Sequence, residues 1–324
     1  MTTRSVRPVT VAGVGLALPS VKNLDDLGVT VPTEQAALVD PAARIGKRGL
    51  RYKDRATQLA LCAAFDALTD AGLLDDVGSL TVDADSVGVM ASSNLGNLDT
   101  VCRVAATIAD EGVPGTSPMD LPNASSNVVA SSIAIRFGLR ATNMMVCNGA
   151  TSGLDSIYLA ATLIGSGRLD QALVVGVETS NEVVERFTGI GAEGLLDGAV
   201  ALVLRAGGDG RDGGTGVVGG YTRTAGLAEC VDAVSGTQPP VFGVWYVPAG
   251  YQGGALRPWL DDVPRADLTE RFGRSSGALG VLQCAAAVGR MRSGDRRPAL
   301  VTTADSSHGG AQRDPGCAGM VLLP

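Results

Sequence analysis

Residues 146–178, VCNGATSGLDSIYLAATLIGSGRLDQALVVGVE, constrain the fold more than any other stretch of the 324-residue chain. An apolar run, NMMVCN, reads as a strand and meets a turn at Gly149. The next segment, TSGLDSIYLAATLIGSG, repeats apolar residues at helical spacing. DQALVVGVE follows as a second strand. That succession is a βαβ unit, whose parallel strands call for a right-handed crossover. The turn puts one side chain at the head of a helix, where an enzyme would aim a nucleophile. The residue there is Ala150.

The same periodicities organise the rest of the chain. PVTVAGVGLALP (8–19) reads as a buried strand, and residues 20–53 as loop with a short helix. DRATQLALCAAFDALTDAGL (54–73) is helical and stops at Gly72. SVGVMASS (86–93) is the next strand, followed by a short helical stretch and the loop EGVPGTSPMDLP. NVVASSIAIRFGL (127–139) is helical, and DGAVALVLRAG (197–207) is a strand. A second series begins near 215 with TGVVGGYTRTAG and crosses a poorly patterned, Pro/Gly-rich middle at 235–265. It continues with the helix SGALGVLQCAAAVGRM (276–291) and ends as strand, loop and strand. Both series mix strands with helices, which predicts a duplicated α/β arrangement with two buried sheets between helical layers.

Aromatic residues make up only 4% of the chain, so its core must be close-packed Ala, Val, Leu and Ile. A net charge of −7 without a long Lys/Arg run argues against nucleic acid as a partner. Six cysteines are scattered with no C-x-x-C spacing, and there is one histidine, which excludes the usual zinc and iron–sulfur patterns and fits a reduced interior. No run of 18 apolar residues and no signal-like N-terminus occurs, so the expectation is a soluble, cytoplasmic protein away from membranes.

Six segments in order resemble the β-ketoacyl synthases of the thiolase-fold condensing enzymes: VTVAGVGLALP, DRATQLALCAAFDALTDAGL, NASSNVVASSIAIRFGLRATNMMVCNGATSGL, LLDGAVALVL, GRSSGALGVLQCAAAV and SSHGGAQ. The resemblance covers most of 8–206 and 270–323 and implies the thiolase-like α/β fold, layered α-β-α-β-α with two central mixed sheets. It divides the chain into a half at 1–206 and a shortened half at 207–324.

It also implies a chemistry that this sequence lacks. The family uses an elbow cysteine to accept the acyl chain and two histidines to polarise the thioester and stabilise the enolate. The cysteine position is Ala150, and one histidine position is Arg274. No histidine precedes His308, which falls in the loop where the family carries a phenylalanine gate. Substitute nucleophiles remain open: Cys147, in the incoming strand and otherwise inert core; Ser152 and Thr151, otherwise helix caps; and His308 with Asp305 as base and orienter. Arg274 suits a phosphate, a carboxylate or an internal ion pair.

Loss of this kind resembles the chain-length factors of type II polyketide and polyene systems, inactive homologues paired with an active ketosynthase. The resemblance implies a heterodimer with sheets continuous across the interface, a carrier protein delivering phosphopantetheine-linked acyl chains, and neither metal nor other cofactor. Val128, Val129, Ile133 and Ile135 are candidates for interface or core. Met119 and Leu121 are candidates for residues that meet the partner's growing chain. Two alternatives stay open: a thiolase-fold acyltransferase, hydrolase or cyclase with another nucleophile, and a homodimeric carrier-protein-binding scaffold.

Overall fold

The computed structural model describes residues 7–28, 37–207, 214–254, 256–304 and 316–324. In the first series β1 (Val9–Ala17) is followed by α1 (Pro41–Ile45), α2 (Arg55–Asp70) and β2 (Val87–Ser92). Then come α3 (Leu98–Glu111), α4 (Val128–Phe137), β3 (Asn143–Val146), α5 (Ser152–Gly165), β4 (Gln171–Glu178), α6 (Glu182–Thr188) and β5 (Gly198–Ala206). The second series runs β6 (Val217–Thr224), α7 (Leu227–Ser235), β7 (Val244–Tyr246), β8 (Arg265–Ala266) and α8 (Thr269–Phe272). It closes with α9 (Leu279–Arg292), β9 (Ala299–Ala304) and β10 (Cys317–Leu323).

The strands follow the order β3-β2-β4-β5-β1-β6-β10-β9-β7-β8. Outward from the centre, β1-β5-β4-β2-β3 and β6-β10-β9-β7-β8 are the same arrangement twice. In each, two antiparallel pairings are followed by two parallel ones. The two five-stranded arrays meet through a single register pair, Thr10 with Val217.

Burial explains why they hold together. Along β4, Val174 faces one core while Leu173 and Val175 face another, as the two-residue period of a strand requires. The first core places Leu154 and Ile157 of α5 and Leu282 and Val288 of α9 between the arrays, against Leu202 of β5 and Met320 of β10. The second lays α2 and α4 on the outer face of the first array, and the third lays α7 against Trp245, Leu300 and Val321. Five layers result: helix, sheet, helix, sheet, helix. Each fully buried Leu or Ile in the middle layer contributes about 2 kcal/mol.

The two middle helices cross at their second residues, Gly153 and Gly280. A Cβ on Gly153 would lie 2.9 Å from the Val281 nitrogen, and one on Gly280 would lie 2.7 Å from the Leu154 nitrogen. Only glycine lets these backbones approach so closely. Among the described residues, no helix is long and apolar enough to cross a membrane.

Several expectations need correction. The helical stretch after β2 is a full 14 residues, α3. The Pro/Gly-rich middle contains β7 and β8, and the patterning also left out α6 and α7. Val128, Val129 and Ile133, candidates for interface or core, are buried against α2. Ile135 on the same helix is 81% exposed.

Candidate functional site

The parallel strands β2, β3 and β4 end together, and the site is built from the loops beyond their C-terminal ends, the usual crevice of an open α/β sheet. After β3 the chain turns at Gly149, with φ +68°, into a 3-10 turn of Gly149–Thr151 and then α5. Ala150 is buried on that turn. The second array has the same device. A 3-10 turn at Ser276–Ala278 leads into α9, and Ser276 there takes φ +35°, a left-handed conformation unusual for a residue with a Cβ.

One side chain joins the two turns. Asn94, on the loop after β2, donates through Nδ2 to the Gly149 carbonyl at 2.9 Å and to Ser276 Oγ at 2.7 Å. Its Oδ1 accepts from the Gly149 nitrogen and from Ser152 Oγ, each at 3.2 Å.

Glu178 ends β4 beneath the second turn and is 3% exposed. Its Oε1 accepts from the nitrogens of Asn94 (2.8 Å) and Gly277 (2.9 Å). Its Oε2 accepts from the Leu95 nitrogen (3.1 Å) and Ser93 Oγ (3.2 Å). No cation pairs with it among the described residues. Burial pushes the carboxyl pKa up to about 7 against the opposing pull of those donors.

Asp155, one turn into α5, is the second buried acid. It accepts from Asn148 Nδ2 at 2.9 Å, from the Thr151 hydroxyl at 2.9 Å and from the Tyr221 phenol. Arg223 supplies a cation at 3.3 Å, and Tyr158 stacks on Tyr221 with ring centroids 4.3 Å apart. Burial, then the hydrogen bond to Asp155, raise the Tyr221 pKa.

Thr151 and Ser152 tie down the elbow instead of capping α5 by accepting from its free N–H groups. Ser152 Oγ accepts from the Asn148 nitrogen at 2.7 Å and lies 2.7 Å from the Gly149 carbonyl. No basic side chain is within hydrogen-bond reach of this buried hydroxyl among the described residues. Cys147 lies just past β3 and is exposed, not in the strand or the core. Its thiol turns back onto the Ser93 carbonyl, and burial of the sulfur, then the Glu178 charge, raise its pKa. The thiolate is thereby disfavoured.

Arg274 extends the second turn. Its nitrogen donates to the Gly194 carbonyl at 2.7 Å, and its carbonyl accepts from Leu196 at 3.2 Å. The internal ion pair open to it in the sequence is not formed among the described residues. Its exposed side chain instead lines a cavity of about 350 Å³ with Asn94, Gly149, Glu178 and Ser276. Met119 and Leu121 are exposed. His308 and Asp305 lie outside the described residues.

The sequence reading found Ala150 and Arg274 but missed Asn94, Glu178 and Asp155. Each of these had a signal: an acid closing the apolar strand QALVVGVE, an acid inside an apolar helix, and an amide directly after a buried strand.

A family model described as "Beta-ketoacyl synthase, N-terminal domain" matches residues 25–196. The 3-oxoacyl-[acyl-carrier-protein] synthase 2 of Vibrio harveyi is 28% identical over 199 residues, 55% of this chain and 47% of that protein. Its namesake from Staphylococcus aureus is 29% identical over 134 residues, 41% of this chain and 32% of that protein. The chain thus spans about half the length, or less, of the curated relatives it matches. Two solved structures superpose over 98% of this chain and 99% of theirs, each with a TM-score of 0.74. They are the ishigamide ketosynthase/chain length factor, 22% identical, and a β-ketoacyl synthase from Burkholderia phymatum STM815, 15% identical. A type II polyketide ketosynthase in complex with its acyl-carrier protein superposes with a TM-score of 0.73 at 14% identity. At these identities the likeness concerns the fold, which is thiolase-like.

Proposed function

The chain belongs to the β-ketoacyl synthase family, and from that premise we propose that it is a non-catalytic, ketosynthase-like subunit of a type II polyketide or polyene system. In this reading it pairs with an active, cysteine-bearing ketosynthase and shapes the tunnel that holds that partner's acyl chain. A carrier protein brings the chain to the pair.

The observation that carries the reading is an elbow kept intact around a methyl group. Asn94, Thr151, Ser152 and Asp155 hold the turn at Gly149–Thr151, yet the residue it presents, Ala150, cannot form an acyl intermediate. Arg274 cannot replace an imidazole, because a guanidinium does not release its proton in a protein. Among the described residues Ser152 has no base beside it, and Cys147 is held as a thiol, which argues against either as the nucleophile.

Pairing is supported by the margin of the sheet. Among the described residues β3 is an outermost strand with one side unpaired, Met144 on it is exposed, and Ile135 of the neighbouring α4 stands in solvent. An open strand edge flanked by apolar side chains suits continuation of the sheet into a second subunit.

Malonyl- or acyl-loaded carrier protein tests the reading directly. The isolated chain is expected to show no turnover and no covalent mass increase, and to co-purify with a cysteine-bearing homologue from its native cell. Acylation of the isolated chain would sink the proposal. In the reconstituted pair, Met119→Trp or Leu121→Trp is expected to shorten the product, read by mass spectrometry; unchanged products from both would remove the tunnel role.

A further inference from the structure

Arg274 has no task in the reading above, and its surroundings give it one. Its backbone is committed to Gly194 and Leu196. Its guanidinium joins no ion pair among the described residues and stands at the cavity beside the elbow. Glu178 is the other charged side chain on the cavity wall. Both its oxygens are occupied by Asn94, Leu95, Gly277 and Ser93, so it does not compete for the arginine. Leu95, Val184, Phe187 and Leu195 add apolar surface to the same wall.

We propose that this cavity binds a short aliphatic carboxylate, with the headgroup on Arg274 and the hydrocarbon tail against Leu95, Val184, Phe187 and Leu195. A planar guanidinium offers two parallel N–H donors matched to the two oxygens of a carboxylate. A single cation suits a monoanion better than a phosphate, which usually gathers several donors and charges. The volume of about 350 Å³ lies at the small end for ligand pockets and matches a short chain. This site is separate from the proposed pairing surface at β3.

Calorimetric titration of the full chain with hexanoate, hexanamide and inorganic phosphate tests the assignment. Hexanoate is expected to bind one per chain, and hexanamide at least about tenfold more weakly, because it loses the charge-assisted pair. Phosphate is expected to bind more weakly than hexanoate. Arg274→Gln is expected to weaken hexanoate about tenfold without moving the melting temperature, since the backbone makes the structural contacts. No hexanoate binding, equal binding of hexanamide, or tighter binding of phosphate overturns the proposal, and these three are read on the unaltered chain. Undiminished hexanoate binding by Arg274→Gln also overturns it. Capture of the ketosynthase partner by the same variant is read separately, so failure of the ligand site and failure of the pairing are told apart.

Discussion

The turns that open α5 and α9 occupy equivalent places in the two arrays, and they are held in different ways. Each is a 3-10 turn leading into a middle-layer helix, and each helix has glycine as its second residue at the crossing. The α5 turn is held by Asp155, whose charge meets Arg223 as well as three neutral donors. The α9 turn is held by Glu178, which meets neutral donors and no cation among the described residues. A buried carboxylate with a cation is compensated, whereas one without a cation is pushed toward its neutral form. The duplicated framework therefore has one turn secured by charge and one sensitive to protons.

The largest effect is expected where the two turns depend on each other. Gly280→Val would drive side-chain carbons into the Leu154 backbone, which cannot move without displacing α5. The expected loss is more than about 3 kcal/mol, measured as a fall in the urea midpoint. A midpoint near that of the unaltered chain would show that the crossing is looser than it looks.

Next comes the proton. The folded-state pKa of Glu178 lies above its ordinary value of 4.5, at about 7, so the folded chain holds this proton longer than the unfolded chain does. Its contribution is full below about pH 4.5, declines as pH rises toward about 7, and is level above that. The decline should be of the order of 3 kcal/mol at most. Glu178→Gln is expected to remove that slope from a stability–pH profile. It also turns an amide N–H toward backbone donors, with a loss of about 1–3 kcal/mol in the acidic range. An unchanged slope in the variant would assign the pH dependence to another group.

Asp155→Asn should cost about 2 kcal/mol at neutral pH, because Arg223 loses its charged partner and the Tyr221 phenol its carboxylate acceptor. Arg223 is partly exposed, and water offsets some of the loss. The smallest change is expected for Ser276→Gly. Relief of its positive φ is opposed by loss of the hydrogen bond from Asn94, leaving a net effect under about 1 kcal/mol. A larger loss would mean that Asn94 needs both turns to stay oriented.

How much of this could be read in the sequence depended on how local the signal was. α2 and α5 carry helical periodicity over 16 and 14 residues, and β4 is a bounded apolar run, so each stood out. β7 has three residues and β8 two, too short for any period to register among prolines and glycines. Ala150 and Arg274 were legible as replaced chemistry within recognisable motifs. Glu178 was not, because its role comes from Gly277, 99 residues away, and Asn94 gains its role from Ser276, 182 residues away. Cys147 is exposed although it sits in the run NMMVCN, because β3 ends two residues before that run does.

The sheet finishes differently at its two margins. At one end β8 is two residues long and carries Arg265, a poor template for further pairing. At the other, β3 has four residues and, among the described residues, no strand on its outer side, beside the exposed Met144. A margin of that length is a template for one further strand, whether a different subunit or a second copy of this chain supplies it.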